Sequence, residues 1–276
     1  MKEKQTKPHI LITNDDGIES SGLKHLFLSL EKDYQITIVA PSCERSCCSV
    51  SSTISHPIEI RKIPWSGANA YSVSGTTADC VKLATSSLEI RSVDLVVSGI
   101  NPGSNSGRNI LYSGTVGGII EATIKNIPGI AFASESFINP KYKDYEKHIS
   151  EIVAYFLKNP LPQGTFLNVT LPSFSPVIRG CVLASQGKSY WTEDPEKRKH
   201  PEGHDYYWLK GKWKSLEETP FSDNALLKKG YITIVPITIK DLTDHTFLQE
   251  HAPFFDMPDI KEKEVEQVVS KKAYEC

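Results

Sequence analysis

His9-Ile10-Leu11-Ile12-Thr13-Asn14-Asp15-Asp16-Gly17 is an apolar run that ends in two adjacent carboxylates and a glycine. Neighbouring side chains of a strand point to opposite faces, so consecutive acids converge only where the chain has left the strand and begun to turn. Gly17 permits such a turn. Like charges at this range disfavour one another's ionisation unless a cation lies between them. A bound divalent ion accounts for the pair; a solvated turn with an Asx-type cap is the simpler account on these three residues alone.

Working outward, similar runs recur at regular intervals. Ile36-Thr37-Ile38-Val39 and Asp94-Leu95-Val96-Val97 are apolar on both faces, as buried parallel strands are. Strands are expected near 9–14, 35–40, 93–98, 129–133, 165–170 and 231–236. Helical spacing fills the gaps at 21–31 (Leu23, Leu26, Phe27, Leu30), 77–89, 115–126 and 144–158. This alternation predicts an α/β fold, a doubly wound, mostly parallel sheet with helices on both faces. Residues 186–222 break the rhythm. They are polar and aromatic, with Pro195 and Pro201, and read as an irregular or antiparallel excursion acting as a lid or subunit contact. The C-terminal extension 241–276 holds alternating Lys and Glu around Val265, Val268 and Val269, which predicts a solvated amphipathic helix over 260–276. A single domain over 1–276 is expected, its core about 8–185 and 223–240.

With 276 residues, 39% hydrophobic and 23% charged, the chain suits a globular protein with ample core. Its net charge of -2 argues against a nucleic-acid polymer or a membrane surface as partner. No stretch reaches the roughly 18 apolar residues of a membrane span, and the charged start lacks a signal-peptide core, so a cytoplasmic address is expected. The six cysteines show no C-x-x-C spacing and read as reduced thiols. His200 and His204 have H-x₃-H spacing, but Pro201 and Gly203 between them argue for a loop rather than a helical ligand pair.

In open α/β sheets ligands bind beyond the carboxyl ends of the strands. Three segments fall there together. Asn14-Asp15-Asp16-Gly17 follows the first strand, and Ala40-Pro41-Ser42-Cys43-Glu44-Arg45-Ser46 the second. Ser98-Gly99-Ile100-Asn101-Pro102-Gly103-Ser104-Asn105-Ser106-Gly107 follows the third and continues to Tyr112-Ser113-Gly114-Thr115 at a helix start. A glycine-rich loop feeding a helix N-terminus offers backbone N–H groups and a positive dipole end to a phosphate. Arg45 and Arg108 could add charge-assisted contacts. The metal donors on offer are hard oxygens, which suit Mg²⁺ or Mn²⁺ better than zinc.

In Ile12-Thr13-Asn14-Asp15-Asp16-Gly17, Gly75-Thr76-Thr77-Ala78-Asp79, Val97-Ser98-Gly99-Ile100-Asn101, Asn105-Ser106-Gly107 and Ser113-Gly114-Thr115-Val116 the chain resembles the SurE-type 5'/3'-nucleotidases almost end to end. The resemblance implies a Rossmann-like core and hydrolysis of nucleoside 5'-monophosphates, with 3'-monophosphates and other phosphate esters as further substrates. It implies one divalent ion per subunit, Mg²⁺ or Mn²⁺, on Asp15, Asp16, Ser46 and Asn101, a water activated by that ion as nucleophile, and Asp15 and Asp16 as the catalytic pair. Asn14, Asn105, Ser113, Gly114 and Thr115 would lie around the substrate phosphate. A subunit-exchanging C-terminal extension and a homodimer or homotetramer are also implied. Cys47-Cys48 and Gly75-Thr76-Thr77 depart from the family's usual residues, and Gly117-Gly118 is a weak pair for a helix interior.

Two other classes fit less well. A phospho-receiver module needs an acceptor aspartate at the carboxyl end of a central strand, whereas Asp94 begins its strand. A dinucleotide-binding oxidoreductase needs G-x-G-x-x-G after the first strand, and none occurs there.

Overall fold

The computed structural model describes residues 7–250 apart from 89, 91, 139 and 174–176. The chain divides into one unit ending at Lys240 and a second beginning at Asp241. In the first, β1 (His9–Thr13), α1 (Ser21–Leu30), β2 (Gln35–Pro41), β3 (Ile60–Ile63), β4 (Asn69–Val73) and α2 (Thr77–Ser86) come first. Then follow β5 (Leu95–Pro102), α3 (Gly114–Ile124), β6 (Gly129–Ser134), α4 (Glu146–Lys158), β7 (Thr165–Leu171), β8 (Cys181–Leu183), β9 (Tyr190–Lys199), β10 (Asp205–Lys214), α5 (Asp223–Leu227) and β11 (Ile232–Thr238). The second unit contributes the short α6 (His245–Glu250). The helix expected over 260–276 lies outside the described residues. No helix among the described residues is long and apolar enough to cross a membrane.

The main sheet has nine strands in the order β3-β4-β2-β1-β5-β6-β7-β11-β8. All neighbours are parallel except β3 with β4 and β11 with β7. Period-two alternation divides the core between its faces. Ile10, Ile12, Ile36 and Ile38 pack with Leu23, Leu26 and Phe27 of α1 and Ile149 and Val153 of α4. Leu11, Val39 and Val96 pack with Val81 and Ala84 of α2 and Val116 and Ile119 of α3. The doubly wound α/β fold expected from the sequence is the fold observed.

Side-chain caps start α1, α2, α3 and α5. The Ser20 hydroxyl accepts from the Leu23 N–H, and Thr76 forms a capping box with Asp79, whose carboxylate accepts the Thr76 N–H at 2.9 Å. The order of strands then fixes where a ligand can sit. From β1 the chain steps to β2 and β4, returns past β1 to β5, and continues to β6 and β7. The reversal leaves a crevice at the carboxyl ends of β1 and β5, the topological switch point.

Three strands lay outside the expectation. β3 and β4 are short and half-exposed, and β8 has only three residues, too few to stand out as a strand. The excursion is antiparallel: β9 and β10 form a separate two-stranded ribbon of ten residues each. Pro195 sits within it opposite Leu209, which a ribbon with two open edges tolerates.

Candidate active site

Asp15 and Asp16 stand just past β1, at the crevice. Asp15 is 3% exposed, although it carries a carboxylate. The Thr115 hydroxyl, in the first turn of α3, donates to its Oδ1 at 2.5 Å. A Cβ on Gly114 would stand 2.8 Å from both Cβ and Oδ2 of Asp15, so only glycine lets the start of α3 come this close. That placement puts Asp15 against the positive end of the helix dipole. Ser113 caps the helix by accepting from the Val116 N–H at 3.1 Å.

Asn14 locks the turn. Its amide nitrogen donates to the Gly17 carbonyl at 3.0 Å and to Ser20 Oγ at 2.7 Å. The same serine therefore caps α1 and anchors the acidic turn. The following loop folds over the acids, with the Arg45 N–H donating to the Asp15 carbonyl at 2.7 Å. The guanidinium of Arg45 donates to the Ser74 carbonyl at 2.8 Å instead of turning towards a phosphate. Ser46 is exposed and donates to Glu44 Oε1 at 2.6 Å. Arg108 is exposed.

Electrostatically the pair is frustrated. Burial pushes Asp16 up to about 8, and the charges of Asp15 and Glu44 add to the shift. Burial also raises Asp15, against the hydrogen bond from Thr115. Without a cation the two acids cannot both ionise near neutrality. Tyr142 stands in the same environment, its phenol held neutral first by burial and then by the charge of Asp16.

On the other side of the crevice, β5 runs one residue out of step with β6 between Ser98 and Asn101. Gly99 is required at the irregularity, because a Cβ there would come within 2.3 Å of the Phe132 carbonyl. The Asn101 amide nitrogen donates to the Gly103 carbonyl at 2.7 Å, which shapes the loop and leaves its oxygen uncommitted. Asn105 is buried, and its main-chain carbonyl accepts from Asn168 Nδ2 at 3.0 Å.

Among the buried polar atoms without a hydrogen-bond partner are Asn14 Oδ1, Asp16 Oδ2 and Asn105 Nδ2. Buried polar groups are normally satisfied, so such a cluster marks a place shaped for something else. The first two are acceptors and the third is a donor. Acceptors fit a cation and a donor fits an anion. The oxygen donor set of Asp15, Asp16, Ser46 and Asn101 is that of a hard divalent ion.

What holds the loop at 104–107 was not expected from the residues around it. Ser106 donates to Asn224 Oδ1 at 2.7 Å, and Asp223 Oδ2 accepts the Gly107 N–H at 3.0 Å. Asp223 Oδ1 also accepts the N–H groups of Gly187 and Asn224, at 2.9 and 2.6 Å. Asn224 Nδ2 donates in turn to Glu218, which Ser189 and the Lys188 N–H hold as well. These contacts outweigh the cost of burial and bring Glu218 down to about 2. No local motif marks Asp223; the loop residue it holds, Gly107, lies more than a hundred residues upstream. Asp223→Ala leaves three N–H groups without acceptors, and should cost about 2–3 kcal/mol. Chemical denaturation would register that loss, and an unchanged midpoint would dismiss the brace.

Set against known proteins, residues 10–193 match the family model described as Survival protein SurE. The chain is 47% identical over 255 residues to the 5'-nucleotidase SurE of Protochlamydia amoebophila (strain UWE25), covering 91% of this chain and 98% of the relative. It is 39% identical over 249 residues to that of Christiangramia forsetii, covering 88% and 95%. Among solved structures it is similar to the SurE protein from Aquifex aeolicus, with TM-score 0.76, 33% identity, and coverage of 88% of this chain and 98% of that one.

Proposed function

The chain belongs to the survival protein SurE family, and from that premise we propose which of its residues carry the chemistry. It is a 5'-nucleotidase, a metal-dependent hydrolase that releases phosphate from nucleoside monophosphates. In our reading Asp15, Asp16, Ser46 and Asn101 hold a single Mg²⁺ or Mn²⁺ ion per subunit. When bound, such an ion supplies Lewis acidity towards a phosphoryl oxygen and towards a nucleophilic water. One observation carries the assignment: buried acceptors on Asn14 and Asp16, in the turn after β1, and a buried donor on Asn105, in the loop after β5, have no hydrogen-bond partner.

The chain's own groups divide the remaining work. Asn105 Nδ2 and the backbone N–H groups of Gly114 and Thr115 receive the phosphate at the start of α3. Thr115 spends its hydroxyl on orienting Asp15, and Ser113 spends its own on capping the helix. Asn14 keeps the turn closed, and its free oxygen suits the cation or a substrate hydroxyl. Burial of the acids strengthens every charge interaction with the ion and substrate.

The test is phosphate release from a panel of nucleoside 5'- and 3'-monophosphates. EDTA should silence the enzyme, and Mg²⁺ or Mn²⁺ should restore it. Undiminished turnover after exhaustive chelation would end this assignment. A homodimer or homotetramer is the second part of the proposal. The exposed Trp191, Tyr207 and Leu209, which alternation and register put on one face of the β9–β10 ribbon, supply an apolar face for subunit contact. Sedimentation equilibrium should return a mass of two or four chains.

A further inference from the structure

At the end of the β9–β10 ribbon the chain turns through His200-Pro201-Glu202-Gly203-His204. The Gly203 N–H donates to the His200 carbonyl at 2.9 Å, and Gly203 takes a φ of +92°, which glycine adopts without strain. The His200 N–H donates to the His204 carbonyl at 2.9 Å, so the two histidines face one another across the hairpin. Their rings stack, with centroids 4.3 Å apart and planes 16° from parallel. Glu202 reaches back from the turn, placing Oε2 at 3.8 Å from His200 Nδ1.

We propose that this tip is a second metal site, selective for a borderline divalent transition ion such as Zn²⁺. One ligand atom from each of His200, Glu202 and His204 lies within 4.8 Å of the others. Around a zinc ion with bonds of about 2.0 Å, neighbouring ligand atoms stand about 3.3 Å apart. Exposed side chains on a closed turn cover that difference by small rotations. Two imidazoles and one carboxylate leave a fourth position for water. This donor set differs in kind from the all-oxygen set at the crevice: imidazole prefers zinc, copper or nickel, whereas carboxylate and carbonyl oxygens prefer magnesium or manganese.

The surroundings do not oppose a cation at the tip. Lys197 and Lys199 are each paired with Asp205 at 2.6 Å, and Arg198 is paired with Glu196 at 2.5 Å. Glu202 supplies a negative charge at the tip, and Tyr206 packs edge-on against His200 to restrict the ring. The Pro201 and Gly203 that argue against a helical pair therefore leave a ligand spacing on a hairpin. Positions four apart meet across a three-residue turn as readily as they meet along a helix.

The experiment uses the full chain with Mg²⁺ in excess, so that the hard-ion site is occupied, and adds Zn²⁺ under equilibrium dialysis. The wild type should retain one more zinc ion per chain than His204→Asn, and imidazole proton resonances of both histidines should shift only in the wild type. Glu202→Gln should weaken the extra ion without shifting the magnesium-supported phosphatase rate, which reports that the variants fold. Equal zinc content in wild type and His204→Asn, or resonances that ignore zinc, would overturn the site. Neither result depends on how the crevice performs its hydrolysis.

Discussion

Asp16→Asn should abolish turnover and at the same time make the metal-free protein more stable. The activity loss is expected to be at least about a thousandfold, on the scale of removing a principal electrostatic group from an active site. The gain in stability has a separate origin. A carboxyl whose folded-state pKa lies above its unfolded value takes up a proton on folding, so its contribution is fully present below the unfolded pKa. Asp16 titrates from 3.8 in its ordinary state to about 8 in the fold. Stability of the metal-free wild type should therefore fall as pH rises through that window. Asparagine removes the ionisation and with it that slope. At pH 8 the variant should gain about 1–2 kcal/mol, or about 2–8 °C in melting temperature. Adding Mn²⁺ should raise the melting temperature of the wild type and leave the variant unmoved. Scanning calorimetry from pH 5 to 8, with and without the ion, separates these outcomes; parallel slopes in both proteins would show that Asp16 is not the strained acid. Asp15→Ala should remove turnover as completely while the protein still folds.

Gly117→Ala should also damage the enzyme, against the direction that helix propensity predicts. In an isolated helix, alanine for glycine stabilises by about 1 kcal/mol. Here a Cβ on Gly117 would lie 2.0 Å from the Ser49 carbonyl oxygen, and a Cβ on Gly118 would lie 2.6 Å from Thr77 Cγ2. A carbonyl at that range must retreat by about an ångström, since packed interiors hold few spare voids. The loop that retreats is the one that carries Ser46. Its other fastenings include the Arg45 N–H on Asp15, the Ser49 hydroxyl on the Leu111 carbonyl at 2.9 Å, and the Thr53 N–H on Asp79 at 3.1 Å. We expect a destabilisation of about 1–3 kcal/mol and a fall in kcat/KM of about a hundredfold. Thermal melting combined with steady-state kinetics decides the sign. A more stable, fully active Gly117→Ala would mean that α3 does not need this loop against it.

These two cases also mark what could be read in advance. The acidic turn was legible because a strand must end before adjacent carboxylates can converge, and the switch point put that end beside the β5 loop. The paired glycines were legible only as a weakness, because propensity is a local quantity and the carbonyl above Gly117 comes from a segment 68 positions earlier in the chain. Thr115 looks like a phosphate ligand from its place at a helix start, yet its hydroxyl is committed to Asp15. β3, β4 and β8 escaped detection for a related reason. Their neighbours, rather than their own residues, make them strands.

The brace at 104–107 has a consequence for the life of the molecule before it leaves the ribosome. Every candidate ligand is encoded by position 115, yet Ser106 and Gly107 find their partners on Asn224 and Asp223. A nascent polypeptide thus carries every candidate ligand for another hundred codons before the side chains that brace this loop are made. Truncation before Asp223 should therefore lower phosphate release even though every candidate ligand remains, because the loop loses the side chains that hold it.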